Sequence, residues 1–65
     1  MKTGIVKFYD MEKAFGFISV DGQTDFFFHL AGQVDPDDVL TKGVKVRFDE
    51  GQNRKGICAI NVERL

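Results

Sequence analysis

Lys13-Ala14-Phe15-Gly16-Phe17-Ile18-Ser19-Val20 is answered a short way on by Asp25-Phe26-Phe27-Phe28-His29-Leu30. Along an extended strand, successive side chains point to opposite faces. Ile18 and Val20 then share one face with Ala14 and Gly16, while Phe15 and Phe17 share the other with Lys13 and Ser19. In the second run Phe26, Phe28 and Leu30 lie together, and Phe27 falls opposite with Asp25 and His29. Each strand thus offers an apolar face to a core and sets aromatic rings among Lys, Ser, Asp and His on the reverse.

That reverse face is the anomaly. A small antiparallel sheet has one core to pack on and keeps its outer face polar. Each Phe left in water forgoes roughly 1.5–3 kcal/mol of burial. Rings beside Lys and His suit a stacking platform; rings packed under a loop or in a dimer interface satisfy the same parity. Parity leaves both open.

The chain has 65 residues, read as one domain (1-65) that buries about 60% of its unfolded surface. One Cys excludes an internal disulfide, and with no apolar leader it fits a reducing, cytoplasmic setting. Cys58, in an apolar run, is expected as a small core residue. No run approaches the ~20 apolar residues of a membrane span. With nine Lys and Arg against ten Asp and Glu, the chain lacks the basic surplus usual in nucleic-acid binding. Distribution matters more than the sum: Asp35, Asp37 and Asp38 cluster in one loop, whereas Lys7, Lys13 and Lys55 flank the aromatic segments. The acidic total argues for weak, salt-sensitive phosphate binding.

Taken in order, Thr3 to Tyr9 reads as a first strand. Ile5, Val6, Phe8 and Tyr9 cannot all face one way, so a bulge or two covered faces is required. Asp21-Gly22-Gln23 supplies a hairpin turn. Residues 31–42 lack a period, contain the only proline, and read as a long surface connection. Gly43 to Asp49 alternates, with Val44, Val46 and Phe48 inward, and Glu50-Gly51-Gln52-Asn53 makes the next turn. Lys55 to Val62 is a fifth strand with Cys58, Ile60 and Val62 on one parity. The expected core is Val6, Ile18, Val20, Phe26, Phe28, Val44, Val46, Phe48, Ile60 and Val62. Five strands without a helical stripe point to an all-β, five-stranded antiparallel barrel.

The catalytic inventory is thin. One His and one Cys, with no further ligand at metal spacing, offer no zinc or Cys–His site. Asp35, Asp37 and Asp38 lack the rest of a calcium loop and read as a solvated acidic loop. Asp25 can pair with His29 along a strand face, yet nothing completes a triad. No enzyme, metal or cofactor is expected.

Lys13-Ala14-Phe15-Gly16-Phe17-Ile18 resembles the first ribonucleoprotein motif, and Asp25-Phe26-Phe27-Phe28-His29-Leu30 resembles the second in its cold-shock form. An RNA recognition motif needs two helices and places the first motif late; here it begins at residue 13. The order of motifs over five strands is similar to the bacterial cold-shock domain family, from the opening Thr-Gly-Ile-Val-Lys-Phe to the closing Ala-Ile-Asn-Val. The resemblance implies an oligonucleotide-binding-fold barrel that binds single-stranded RNA and DNA, as an RNA chaperone or regulator of transcription or translation. It implies stacking by Phe15, Phe17 and Phe27, with His29 stacking or hydrogen bonding beside them. Lys7 and Lys13 would meet phosphates or base edges, and Lys55 would add a basic contact. Phe8 stands where the family usually has Trp, and Leu30 where it has Phe. Ala14 replaces a motif glycine, Asp10 a common Asn, and Pro36-Asp37-Asp38-Val39 replaces a loop aromatic. Fewer rings imply weaker binding and a shorter footprint, since each stacked base is worth roughly 1–3 kcal/mol. A pyrimidine-rich strand is the implied ligand and a monomer the expected state, with a dimer left open. The rival is a protein-interaction module using the aromatic face or the acidic loop, because small barrels host many functions.

Overall fold

The computed structural model describes residues 2–22, 25–35, 37–54 and 56–65. Gln23, Pro36 and Lys55, assigned above to a turn, the central loop and the basic rim, lie outside the described residues. Five strands, β1 (Lys2–Asp10), β2 (Phe15–Ser19), β3 (Phe26–His29), β4 (Lys45–Asn53) and β5 (Gly56–Arg64), close into a barrel in the order β1-β2-β3-β5-β4. The expected antiparallel pairing holds at four seams. The fifth, β3–β5, is parallel and aligns Phe27 with Cys58 and Phe28 with Ala59. No helix among the described residues is long and apolar enough to cross a membrane.

The barrel closes around alternating apolar residues. Val6, Ile18, Phe26, Phe28, Val46, Phe48 and Val62 are buried as expected, and Val20 and Val44 pack half-buried against them. Phe26 meets Phe48 with ring centroids 5.1 Å apart, and Tyr9 stacks on Phe28 at 6.0 Å. Gly16 is buried where a Cβ would lie 2.4 Å from the Phe8 carbonyl oxygen and 2.8 Å from the Phe28 ring. The absent side chain is what lets β1 cross β2 so closely.

The parity conflict in β1 resolves as a bulge. Val6 pairs with Ile18 and Phe8 with Phe17, so Lys7 is the extra residue. Val6 and Tyr9 can then both reach the core while Phe8 turns out.

A second bulge overturns the reading of β5. Arg47 pairs with Glu63 and Asp49 with Ile60, which leaves Asn61 and Val62 opposite Phe48. Asn61 takes up the insertion at φ 53, a left-handed conformation that Asn tolerates better than most residues. Parity inverts there. Val62 enters the core, whereas Ile60, expected inside, is 38% exposed. Cys58 is buried, but in register with outward-facing Phe27 and outside the main core cluster; Ala59 takes the inward place.

The central connection is more than surface. Leu30–Gly32 forms a short 3-10 turn, Gln33 bridges to Val62, and Leu40 is fully buried. β4 runs on through Glu50 to Asn53, which were expected to turn.

Candidate nucleic-acid interface

Outward residues of β1, β2 and β3 gather four phenylalanines into one cluster. Phe15 stacks on Phe27 at 5.5 Å, and Phe17 meets Phe27 edge-on at 5.9 Å. Phe8, turned out by the Lys7 bulge, lies 6.2 Å from Phe15 and 6.5 Å from Phe17. Phe15 and Phe17 are perpendicular at 6.0 Å. These edge-to-face and offset contacts suit the ring quadrupoles and hold the cluster in shape without covering it. Phe8 is 48% exposed, and Phe15, Phe17 and Phe27 are half-buried. A cleft of ≈ 300 Å³ lies among Phe15, Phe17 and Phe27, and Asn53 and Ile57 also line it.

Asn53 and Ile57 escaped the reading of the sequence. Asn53 had been assigned to a turn, and the exposed apolar Ile57, at the start of β5, carried no motif. Parity gave no signal: Ile57 stands one residue before Cys58, the partner of outward Phe27, and alternation alone would turn it to the other face.

The polar residues are arranged around this cluster in distinct ways. Lys7 Nζ lies 2.8 Å from Asp25 Oδ2 in an exposed ion pair. Asp25, considered above as a partner for His29, thus engages Lys7. His29 pairs with Phe15 across β2–β3 and is exposed. Its Nδ1 accepts the Ala31 N–H at 3.1 Å, capping the 3-10 turn. An accepting Nδ1 leaves Nε2 to carry the ring proton as a donor. Lys13 is exposed in the β1–β2 turn. Asp10 Oδ1 accepts the N–H groups of Glu12 and Lys13 at 3.0 and 3.2 Å, so its carboxylate pins that turn. Leu30 leaves the strand register: it opens the 3-10 turn half-buried, its N–H donating to the Ala14 carbonyl at 2.9 Å.

The acidic loop is tied down on another part of the barrel. Arg64 donates to Asp38 through Nε (3.0 Å to Oδ2) and Nη2 (2.8 Å to Oδ1), and Nη2 also reaches the Val39 carbonyl at 3.0 Å. Gln33 Nε2 donates to the carbonyls of Asp35 and Asp38 at 3.1 and 2.9 Å. The bidentate Arg64 holds the Asp38 carboxyl below its ordinary value, chiefly by hydrogen bonding; desolvation opposes this, and the guanidinium charge adds a smaller lowering. The loop keeps Asp35 and Asp37 exposed, as expected, but is anchored through Asp38 to the end of β5.

A closed barrel of this strand order, with rings on the outer faces of β1 to β3 and cations at their margins, defines a small oligonucleotide-binding-type domain. Residues 2–65 match the model of the 'Cold-shock' DNA-binding domain. The chain is similar to cold shock protein 2 of Lactiplantibacillus plantarum, 42% identical over 97% of both chains. It is also similar to the major cold shock protein of Streptococcus pyogenes serotype M1, 38% identical over 100% of this chain and 98% of the other. Cold shock protein CspA of Staphylococcus haemolyticus is 39% identical over the full length of both. The chain belongs to the cold-shock domain family, a family of nucleic-acid-binding domains.

Proposed function

We propose that this domain binds single-stranded RNA or DNA by stacking unpaired bases on Phe8, Phe15, Phe17 and Phe27, and acts as an RNA chaperone or a regulator of transcription or translation. The observation that carries the reading is the four-ring cluster left open on the outer face of a barrel whose core is otherwise closed. Every base has a π-face, so stacking tolerates sequence and is worth roughly 1–3 kcal/mol per base. His29 stacks or donates Nε2–H to a base edge, and Lys7, Lys13 and Lys55 supply positive charge near the backbone. No bond is made or broken: holding open strands lowers their free energy relative to weak hairpins and shifts RNA toward unfolded forms. The natural ligand is a short pyrimidine-rich strand, bound by a monomer in the cytoplasm.

Affinity is lower than in relatives with a fuller set of rings. Phe8 offers a smaller face than Trp, Leu30 stacks no base, and Val39 with its acidic neighbours provides no loop aromatic. Lys7 must also give up Asp25 before it can serve a phosphate.

Fluorescence anisotropy of a labelled pyrimidine-rich strand of about seven nucleotides tests the reading. The label belongs on the oligonucleotide because the chain has no Trp. Wild type binds at low salt, and Phe15→Ala loses about tenfold or more, as expected for one stacked base. Equal binding by folded Phe15→Ala, or none by wild type, defeats the proposal and points to a protein partner for this face.

A further inference from the structure

We propose that Arg54, at the tip of the β4–β5 hairpin, is a phosphodiester-binding residue that acts together with Lys13 at the other end of the ring cluster. The proposal rests on the single-strand reading above. Its basis is the pairing state of the cations. Lys2 faces Glu50 at 3.6 Å, Lys7 faces Asp25 at 2.8 Å, Arg47 engages Glu63, and Arg64 engages Asp38 at 2.8 Å. Among the described residues, Lys13, Lys42, Lys45 and Arg54 have no carboxylate partner.

That difference decides what each cation can offer a phosphate. A paired cation exchanges one anion for another and gains little. An unpaired one releases only diffuse counterions, which is the favourable electrostatic part of nucleic-acid binding.

Position then separates the unpaired four. Lys45 lines a groove with Ile5, Val20 and Leu65, and Lys42 precedes Gly43, whose N–H bonds to the Val6 carbonyl. Lys13 and Arg54 adjoin the rings instead. Lys13 sits two residues before Phe15, which pairs with His29 at the end of β3. Arg54 is exposed between Asn53 and Ile57 in sequence, two residues that line the cleft with Phe27. The cluster is therefore bracketed by one unpaired cation at each end, with neutralised Lys7 on its flank. A strand whose bases stack on the rings brings its backbone past both. Arg54 also offers a planar fork that a phosphate accepts bidentately.

The test is the salt dependence of binding, using labelled oligothymidylate of about seven nucleotides between about 0.05 and 0.2 M salt. Arg54→Gln weakens binding about three- to fivefold at low salt and lowers the slope of log K against log salt by about 0.7, the value for one phosphate contact on a single strand. Arg54→Lys keeps the slope. Lys7→Gln and Lys42→Gln each change it by less than half as much. An unchanged slope in Arg54→Gln, or an equal fall in Lys42→Gln, overturns the proposal, the second outcome reducing it to a general charge effect. If Phe15→Ala abolishes binding while Arg54→Gln leaves the slope intact, the phosphate subsite fails and the stacking reading stands. If wild type does not bind at low salt, both fail.

Discussion

Ala14 holds a left-handed backbone, φ 58, immediately before the first ring of the platform. A non-glycine residue there costs roughly 1–2 kcal/mol in steric contact. Replacing it with Gly relieves that contact and adds back roughly 0.5–1 kcal/mol of unfolded-chain freedom. The first effect is the larger, so Ala14→Gly stabilises the domain by about 0.5–1 kcal/mol in urea unfolding. Phe15 keeps its place because the Ala14 carbonyl stays bonded to the Leu30 N–H. The departure from the motif glycine was visible in the sequence; its conformational meaning was not, since φ is not written in residue type. Asp10 teaches the same lesson. Its charge was legible, but not that the carboxylate accepts two backbone N–H groups of the turn.

Among the strands, those that read cleanly were those that keep one register. β2 and β3 alternate without interruption, and their inward and outward sets fell where parity put them. β1 and β5 each insert a residue. In β1 the conflict between Val6, Phe8 and Tyr9 announced the bulge, whereas in β5 the run Ile57-Cys58-Ala59-Ile60 is apolar on both parities and hid it. Leu40 and Gln33 were missed for a related reason: each is a single buried residue in a connection with no period to mark it. Gly16 shows how tight the β1–β2 crossing is. Gly16→Ala drives a Cβ against the Phe8 carbonyl and the Phe28 ring, an overpacking cost of about 1–3 kcal/mol. Its thermal midpoint falls, and ring packing at Phe8 shifts with it, which a two-dimensional NMR spectrum reads directly.

For the molecule as a whole, the Asp38–Arg64 clamp makes one part of the fold's stability sensitive to acid. Arg64 keeps the Asp38 carboxyl below its ordinary 3.8 in the folded chain. Unfolding releases it, so in acid the unfolded chain takes up the proton first and the folded state loses ground. The clamp's contribution is complete above the ordinary carboxylate range and disappears as pH falls through the lowered value. Wild type and Arg64→Gln therefore differ in thermal midpoint by a constant amount at neutral pH, and converge in strong acid. A difference that persists unchanged in acid assigns the effect of Arg64 to its packing instead. The barrel has one more property of the whole, which comes from its parallel seam. β3 and β5 join residues far apart in sequence, Phe27 to Cys58 and Phe28 to Ala59, and such distant pairings are slow to form. The cleft straddles that junction, with Phe27 on one bank and Ile57 on the other. A strand lying in it works as a splint across the place where the barrel opens. Amide hydrogens of Cys58 and Ala59 then exchange more slowly with solvent in the complex than in the free domain, so that ligand occupancy is recorded as the lifetime of a seam.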